Sequence, residues 1–351
     1  MSDERIERVY AFIRDLLHQD EAPSNIVDIW KSAFPLDGER RTPSFLLPVL
    51  CCQAAGGDEH QATALAAAWF LLYLAAKALD DVEDGDALQG PWYGIGVPQA
   101  INAATGLIFT SQLALAHLPR MGANRELTLS LIKDFNRTIL QMCAGQHADL
   151  TEASSLSLER YFSIAGAKSG EFFSLACRAG ALLGTDKVAS YSEFGYNLGV
   201  LIQICDDFEG VWSPKGRSDL AAGKRTLPII YALTVAPPGV KARLERFLAK
   251  ATSEREAEEE ARGLITELGA PHYLLVEVQI RRQRAEAALC STGTPSPVYR
   301  QLMALLNGHF RVPDDATEIS PNTSAVQDKA LALLGSLLSP FDRPPPVGSG
   351  S

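Results

Sequence analysis

The amino-acid sequence predicts an all-α protein, and three features of its pattern support that prediction. No segment alternates apolar and polar residues with the strict period of two that a half-buried strand shows. The apolar segments instead end at Gly, Pro or Asn, residues that stop helices. The most apolar segment, residues 63–79, is almost wholly Ala, Leu and aromatic residues without Gly or Pro, a composition that favours helix.

The predicted helices follow in chain order, and each is bounded by residues that break a helix. The first two cover residues 4–18 and about 42–55, with a loop containing Pro and charged residues around 35–41 between them. A long helix at 60–84 runs into a loop rich in Gly and Pro at 85–98. Further helices are predicted at 99–118, 124–145, 157–183, 187–212, 226–235, 239–250, 254–268, 271–290 and 296–310, with breaks at Pro119, Asn124, Gly184, Pro214, Pro237, Gly269 and Pro295.

The composition of the chain changes after residue 311. We expect one helical domain over residues 1–311, because the apolar helical pattern is continuous there. Residues 312–351 are expected to form a C-terminal extension with one short helix, near 325–338, and a disordered tail rich in Pro, Gly and Ser.

Net charge and cysteine usage narrow the classes of function. The formal net charge of −10 at pH 7 argues against nucleic-acid binding, which needs clustered Lys and Arg. An anionic ligand must then be held by metal ions or by a few local basic residues. The six cysteines include no CxxC pair and lie mostly in apolar segments, so we expect reduced thiols in a cytoplasmic protein.

A transmembrane helix is the alternative interpretation of residues 63–79, which approach spanning length. The segment is slightly short, contains Lys77 and ends in four acidic residues within five positions, residues 80–84. Charged residues oppose insertion into the membrane. We therefore expect a buried core helix and no transmembrane span.

Two acidic pairs, each closing an apolar helix, form the candidate functional site. Asp80 and Asp84 lie four residues apart, so they share one face of the long helix. The second pair, Asp206-Asp207, ends another apolar run, and Glu209 follows it. A single acidic helix end is commonly only a solvated terminus. Two of them can clamp divalent cations, and Mg²⁺ prefers a few carboxylates together with phosphate oxygens of a substrate.

Basic residues accompany the two acidic pairs. Lys168 lies between them in sequence, and Lys215 and Lys224 follow the second pair. Ammonium groups beside Mg²⁺ suit a diphosphate leaving group, because they neutralise its charge as a C–O bond breaks. The apolar helices would supply a water-poor pocket for a hydrocarbon tail. The sequence contains no phosphate-binding glycine loop, GxSxG motif or His metal spacing that would indicate a competing site.

With these motifs in this order, residues 38–310 resemble the trans-isoprenyl diphosphate synthases, or polyprenyl synthetases, and the terpene cyclases of the same fold. Residues 80–84 (DDVED) match the family's first aspartate-rich motif, DDxxD, and residues 203–209 (QICDDFE) resemble the second. Residues 219–228 resemble the segment that follows it, and two further pairs match the family's Gly-Gln and Lys-Thr/Ser pairs, namely Gly145-Gln146 and Lys168-Ser169. The resemblance implies a single large helical bundle of the isoprenoid synthase type with a central apolar cavity, and a homodimer.

The resemblance also implies roles for individual residues. Mg²⁺, with three ions expected when the diphosphate is bound, would be ligated by Asp80, Asp84 and Asp206. The allylic prenyl diphosphate would contact Gln146, Lys168, Ser169, Gln203, Lys215 and Lys224. The catalytic residues would be Asp80, Asp81, Asp84, Lys168, Asp206 and Asp207. The last Asp of the second motif is replaced by Gly210, and Glu209, on the same helical side as Asp206, is the candidate replacement ligand.

Other departures from the family fall on the half of the site that holds isopentenyl diphosphate. The family's Gly-Lys-x-Arg-x-Arg-Pro segment aligns with residues 38–43, where Glu39 replaces the Lys and Thr42 replaces an Arg. Tyr73 aligns with a His of the family. The family's Arg-Arg pair aligns near residues 88–89, which are Leu-Gln in this chain. Each lost charge-assisted hydrogen bond would cost about 1.5–3 kcal/mol, so a second diphosphate would bind poorly.

Lys77 has three possible roles. It lies three, four and seven residues before Asp80, Asp81 and Asp84, on one helical side. The lysine is a candidate diphosphate ligand, a competitor for a metal ion, or a partner of Asp81 in solvent.

Three functions remain open on this sequence. The one we expect is a class I, Mg²⁺-dependent enzyme that ionises an allylic prenyl diphosphate, followed by terpene cyclisation or prenyl transfer to an acceptor other than isopentenyl diphosphate. The second is a chain-elongating polyprenyl diphosphate synthase whose acceptor site uses residues such as Arg40 and Arg41. The third is a non-catalytic regulatory subunit, against which the retained first motif, Lys168 and Lys224 argue.

Overall fold

Helices form the regular structure of this protein. The structure is a computed structural model and describes residues 4–19, 26, 44–85, 92, 94–152, 157–213, 217–293 and 297–308. The helices are α1 (Glu4–Gln19), α2 (Leu47–Ala54), α3 (Glu59–Glu83), α4 (Val97–Ala116), α5 (Arg125–Glu152), α6 (Leu158–Ala165), α7 (Glu171–Ala181), α8 (Ala189–Trp212), α9 (Asp219–Ala222), α10 (Leu227–Val235), α11 (Pro238–Ala251), α12 (Arg255–Glu267), α13 (Ala270–Cys290) and α14 (Pro297–Gly308). No strand occurs among the described residues, and the predicted all-α class is confirmed.

Helix α3 lies in the centre of the bundle and contains the apolar segment of the sequence. Its N-terminus is capped by Asp58, whose side chain accepts a hydrogen bond from the backbone N–H of His60 at 2.9 Å. The helix packs against α1, α2 and α4, and Trp69 at its middle is fully buried. By length and hydropathy α3 could cross a membrane, but 78% of its 18-residue apolar window is buried inside the bundle, as in a core helix.

Helix α8 is the second central helix, and it packs closely against α7 and α13. Gly195 and Gly199 lie one turn apart on α8, and a Cβ atom at either position would overlap a backbone carbonyl oxygen, that of Phe173 or of Ser169. Glycine at both positions therefore lets the two helix backbones approach each other. This close packing fixes the segment around Ser169 against the helix that contains the second acidic pair.

Helices α9 to α12 form a smaller layer beside the C-terminal part of α8. Val211 of α8, Leu220 of α9 and Ile229 of α10 share an apolar cluster with residues of α11 and α12. Burial of these side chains anchors both flanks of the turn at residues 223–226 to α8.

Three differences from the sequence-based prediction fall near the candidate site. Helix α5 continues through residues 146–152, beyond its predicted end at residue 145. The predicted helix at 157–183 is divided into α6 and α7 by a π-helical turn, Gly166–Gly170. The short helix α9 was not predicted. All three differences lie in segments that contribute residues to the candidate site.

Several predictions fall outside the described residues. They concern Lys215, the acceptor-site segment 38–43, the pair at 88–89 and the C-terminal extension 312–351. The boundary of the helical domain at residue 311 therefore stays a prediction.

Candidate functional site

The first acidic cluster lies at the C-terminal end of α3. Asp84 is the C-cap residue, and its backbone N–H donates to the carbonyl oxygen of Asp80 at 2.9 Å, so the two carboxylates lie one turn apart on one helix face. The side chain of Asp80 is 46% exposed, whereas Asp81 is buried. Asp80 and Asp84, whose side chain is 19% exposed, therefore share a face that a ligand can reach, whereas Asp81 does not.

Lys168 lies beside Asp80, on the π-helical turn. Its Nζ is 3.4 Å from Oδ1 of Asp80 and 2.7 Å from Oδ2 of Asp149. Burial lowers the pKa of Lys168, but the charges of Asp80 and Asp149 outweigh burial, so the pKa is raised and the side chain stays an ammonium. π-Helical turns are frequent at functional sites, and this one brings a lysine between two carboxylates.

Helix α5 passes close to this turn because it contains Gly145. A Cβ atom at residue 145 would lie 3.1 Å from Cγ of Lys168, which is too tight for an ordinary contact. The helix continues past the glycine, so Gln146 and Asp149 lie three residues apart on one face. Nε2 of Gln146 donates to Oδ1 of Asp84 at 3.3 Å. The prediction that α5 ends at Gly145 was wrong, because this glycine serves close packing and not termination.

Lys224 reaches the first acidic cluster from the turn after α9. Gly223 closes α9 with a φ of 75°, a left-handed conformation that favours glycine. The chain reverses there, and Nζ of Lys224 lies 2.8 Å from Oδ2 of Asp84. Two segments distant in sequence thus place one ammonium group on each outer carboxylate of α3.

The second acidic pair divides into an exposed and a buried residue. Asp206 is exposed on α8, whereas Asp207 is only 3% exposed. The carboxylate of Asp207 accepts hydrogen bonds from the hydroxyl of Tyr161 at 2.7 Å, from Nε2 of Gln203 at 3.0 Å and from the backbone N–H of Leu227 at 2.8 Å. Burial raises the pKa of Asp207, and these three donors oppose that shift. The contacts favour an anchoring role for Asp207, which ties α6 and α10 to α8.

Ser169 and Gln203 connect the π-helical turn to α8. The hydroxyl of Ser169 donates to Oε1 of Gln203 at 2.8 Å, while the amide nitrogen of Gln203 donates to Asp207. Both ends of the Gln203 amide are therefore engaged within the protein, which fixes its orientation.

Lys77 and Glu209 are the remaining predicted residues in the described part of the chain. Nζ of Lys77 lies 3.8 Å from Oδ1 of Asp81, which corresponds to the paired role among the three considered. Its side chain is 40% exposed, so this ion pair contributes little to stability. Glu209 is half-buried on α8, three residues after Asp206.

The structure brings most of the predicted residues into contact and adds two more. Direct side-chain contacts join Asp84 to Gln146 and Lys224, and Asp80 to Lys168. Others join Ser169, Gln203 and Asp207. Asp149 and Tyr161 were not predicted from the sequence. The spacing of Asp149 from Gln146 would have identified it, had α5 been extended past residue 145. Tyr161 gives no local signal, because Asp207 is 46 residues away in sequence.

The carboxylates of the site fit Mg²⁺ as a ligand set. Among the described residues, no three His, Cys, Asp or Glu side chains are gathered as a preformed metal site. Asp80 and Asp84 are instead neutralised by Lys168 and Lys224. Mg²⁺ typically takes one or two carboxylates and completes its shell with water and phosphate oxygens. When Mg²⁺ and diphosphate bind, the carboxylates would contact the cation and the lysines would contact the anion. These contacts would replace the lysine–carboxylate ion pairs.

Comparison with known proteins finds similarity over most of the helical region. The sequence model of the polyprenyl synthetase family matches residues 38–265. The chain is 29% identical over 251 residues to a geranylgeranyl diphosphate synthase of Mycobacterium tuberculosis, a match that covers 67% of this chain and 71% of the relative. It is 32% identical over 160 residues to the tryptophan prenyltransferase ComQ of Bacillus subtilis subsp. natto, covering 45% of this chain and 48% of the relative.

The fold is similar to that of a polyprenyl synthase from Caulobacter crescentus solved in complex with calcium and isoprenyl diphosphate. The TM-score is 0.73 at 24% sequence identity, and the match covers 86% of this chain and 93% of the other. At this level of identity the likeness concerns the all-α fold.

Proposed function

Because the chain belongs to the polyprenyl synthetase family, we propose that it is a Mg²⁺-dependent enzyme that ionises an allylic prenyl diphosphate and transfers the prenyl group. The C–O bond to the diphosphate breaks heterolytically, and the electron pair leaves with the diphosphate. A nucleophile captures the allylic cation and then loses a proton. The relatives named as a geranylgeranyl diphosphate synthase and a tryptophan prenyltransferase support prenyl transfer as the class of reaction.

One observation carries the proposal, namely that two lysines from distant segments each contact an outer carboxylate of the first acidic cluster. Nζ of Lys168 is 3.4 Å from Asp80, and Nζ of Lys224 is 2.8 Å from Asp84. Ammonium groups held beside the metal-binding carboxylates stabilise the negative charge that grows on a departing diphosphate. The carboxylates of Asp80 and Asp149 raise the pKa of Lys168 despite its burial, which favours the ammonium form.

Asp80, Asp84 and Asp206 would hold the Mg²⁺ ions, three of which we propose with the diphosphate bound. These ions, when bound, supply Lewis-acid activation of the leaving group. The neighbour of similar fold, complexed with calcium and isoprenyl diphosphate, supports a divalent cation beside a prenyl diphosphate. Gln146 would support the metal site, because its amide nitrogen contacts Asp84.

The hydrocarbon tail of the substrate would extend along an apolar wall on α3. Tyr73 and Trp69 lie seven and eleven residues before Asp80, so they share its helix face. Trp69 stacks on Phe172 of α7 with 4.6 Å between ring centroids, and Tyr73 stacks on Trp69 at 5.9 Å. From Asp80 to Tyr73 the wall runs about 10 Å along the helix, and the fully buried Trp69 supports Tyr73 from within the bundle. An aromatic wall of this kind excludes water from an allylic cation.

The proposed nucleophile is a group other than isopentenyl diphosphate, either a separate acceptor or a double bond of the same prenyl chain. The support is the replacement of family cations by Glu39 and Thr42. At the family's His position, Tyr73 presents an aromatic ring that stacks on Trp69. The relative ComQ, named for transfer to tryptophan, provides a second line of support.

A chain-elongating synthase is the second candidate function. The relative named geranylgeranyl diphosphate synthase favours it. Its acceptor site would then use residues such as Arg40 and Arg41, which lie outside the described residues. A non-catalytic subunit is disfavoured, because Lys168 and Lys224 still contact the first acidic cluster.

We further propose that the protein is a cytoplasmic homodimer. Val97, Ile101, Phe109 and Leu113 of α4 are exposed at multiples of four residues, and Leu140 of α5 is 69% exposed. A second copy that covers the same face would remove this apolar row from water. Light scattering of the wild type should give twice the monomer mass, and Phe109→Glu should give the monomer. An unchanged mass in the variant would contradict this interface.

The test of the proposed function is a product assay with Mg²⁺ and geranyl, farnesyl or geranylgeranyl diphosphate, each with and without isopentenyl diphosphate. Hydrocarbon extracts and phosphatase-treated prenyl alcohols are analysed by mass spectrometry. Hydrocarbons or cyclic alcohols from the allylic substrate alone would support ionisation without elongation. Longer prenyl alcohols formed only with isopentenyl diphosphate would establish the elongating synthase instead. If every substrate is unchanged, tryptophan and other nucleophiles are added as acceptors.

A further inference from the structure

Residue 210 is the position at which the second acidic motif of this chain lacks a carboxylate. It lies on α8, four residues after Asp206, so the two positions share a helix face. A side chain at residue 210 would therefore project beside Asp206. The chain has Gly210 there, although the resembling family has an Asp.

The carboxylate of Asp219 occupies the space beside Gly210. A Cβ atom built on Gly210 would lie within 2.7 Å of Oδ1, Oδ2 and Cγ of Asp219. No real Cβ atom tolerates such distances, so any residue other than glycine would displace this carboxylate. The Asp219 carboxylate can therefore keep this position only while residue 210 is glycine.

The backbone around Asp219 is held in place by several contacts. Ser218 is the N-cap of α9, with its hydroxyl accepting from the backbone N–H of Ala221 at 3.1 Å and donating to Glu258 at 2.7 Å. The carbonyl oxygen of Asp219 accepts from the backbone N–H of Lys224 at 2.9 Å. The same short segment thus positions Asp219 against α8 and Lys224 against Asp84.

We propose that Asp219 supplies the metal-binding carboxylate that residue 210 lacks, and that it acts together with Asp206 when Mg²⁺ and diphosphate bind. The inference rests on the proposed function, since it assigns a residue to the same metal site. It replaces the sequence-based expectation that Glu209 takes this role. Among the described residues, it is Asp219 whose carboxylate lies where the side chain of residue 210 would begin.

The first test compares Mg²⁺-dependent binding of inorganic diphosphate in the wild type and in Asp219→Asn, which keeps the size of the side chain. Isothermal titration calorimetry gives the apparent Mg²⁺ affinity at saturating diphosphate, and electron paramagnetic resonance with Mn²⁺ gives bound ions directly. Asp219→Asn should weaken the apparent affinity about tenfold or more. Glu254→Gln, which removes an exposed carboxylate outside the site, is the matched charge control and should bind as the wild type does.

Glu209→Gln separates the two candidate ligands. A large loss of affinity in Glu209→Gln with none in Asp219→Asn would overturn the inference and restore Glu209 as the ligand. A wild type that shows no Mg²⁺-dependent binding of diphosphate would instead overturn the proposed function itself. The two failures are therefore distinguishable.

Two variants at residue 210 test the geometry without removing Asp219. Gly210→Ala should displace the Asp219 carboxylate and weaken Mg²⁺-dependent binding as Asp219→Asn does. The double variant Gly210→Asp/Asp219→Ala moves the carboxylate back to α8 and should recover binding relative to Asp219→Ala alone. Thermal unfolding without Mg²⁺ shows that each variant is folded. Wild-type binding in Gly210→Ala, or no recovery in a folded double variant, would overturn the inference.

Discussion

The two aspartate pairs of this protein share one sequence pattern but contain two structural kinds of aspartate. Asp80 and Asp206, the first of each pair, are accessible at the surface of the site. Asp81 and Asp207, the second of each pair, are 7% and 3% exposed. Asp84 is partly accessible, with 19% of its side chain exposed, and its carboxylate contacts Lys224 within the site.

The two buried aspartates differ in what neutralises them. Asp81 has Lys77 at 3.8 Å, a cation on a partly exposed side chain. Asp207 is surrounded by three donors at 2.7–3.0 Å from three different helical segments. A deeply buried carboxylate needs such fixed short-range donors, because an unsatisfied charge there is costly. We therefore expect the accessible aspartates to bind the ligand, as proposed, and Asp207 to hold α6 and α10 against α8.

The largest expected effect comes from an accessible aspartate. Asp80→Ala and Asp84→Ala should each reduce kcat/KM on the order of 100- to 1,000-fold, because a group that organises the leaving group is removed. Their urea unfolding midpoints should stay close to the wild-type value, since both side chains are partly exposed. Activity is measured as released diphosphate. A loss of folding stability equal to the loss of activity would contradict the division between the two kinds of aspartate.

Removal of a buried aspartate should act on stability. Asp207→Ala leaves three buried donors without their acceptor, so the free energy of unfolding should fall by about 3 kcal/mol or more. Tyr161→Phe removes one of the three hydrogen bonds and should cost about 1 kcal/mol. Both values come from urea denaturation. Unchanged stability with lost activity in Asp207→Ala would place this residue with the accessible aspartates.

Replacement of either lysine should weaken diphosphate binding without unfolding the protein. Lys168→Ala and Lys224→Ala each remove a charge-assisted contact worth about 1.5–3 kcal/mol, or about 10- to 150-fold in affinity. Calorimetric titration with inorganic diphosphate and Mg²⁺ measures the change. The control is Lys250→Ala, in which the lysine forms an exposed pair with Glu254. Equal affinities in the control and both lysine variants would remove the ammonium groups from the proposed site.

The smallest expected effect is that of Lys77, the partner of a buried aspartate. Lys77→Met should lower the free energy of unfolding by about 0.5 kcal/mol, because the pair is partly exposed and spans one helical turn. Diphosphate affinity should not change. A tenfold loss of that affinity would give Lys77 a role in substrate binding. It would contradict the separation between ligand-binding and buried aspartates.

The sequence predicted the helices well wherever a helix depends on its own residues. Residues 63–79 have helical composition throughout, and the helix observed there ends next to the acidic residues as expected. Prediction failed where a contact between residues distant in sequence determined the role of a helix-breaking residue. Glycine often ends a helix, and the predicted helix ended at Gly145. In the structure Gly145 instead permits α5 to pass close to Lys168. Because the predicted helix ended at this glycine, Asp149 was not placed on it. The observed helix continues and contains Asp149.

The same limit applies to the second acidic cluster. The sequence showed that Gly210 replaces an acid, and it offered Glu209 as the nearest carboxylate along the helix. In the structure the carboxylate of Asp219, nine positions further along the chain, lies beside Gly210, and the proposed ligand role passes to it. Sequence spacing identifies neighbours on one helix. It does not identify residues that a turn brings back to the surface of that helix.

The sequence by itself determined the all-α class, the course of most helices and the identity of most charged residues in the candidate site. Helical periodicity and motif order are local properties, so a single chain contains them in full. Only the tertiary structure decided which aspartate of each pair is accessible, which carboxylate each lysine contacts and where the Asp219 carboxylate lies. Those features depend on how closely separate helices approach, and that distance is set by packing across the whole bundle.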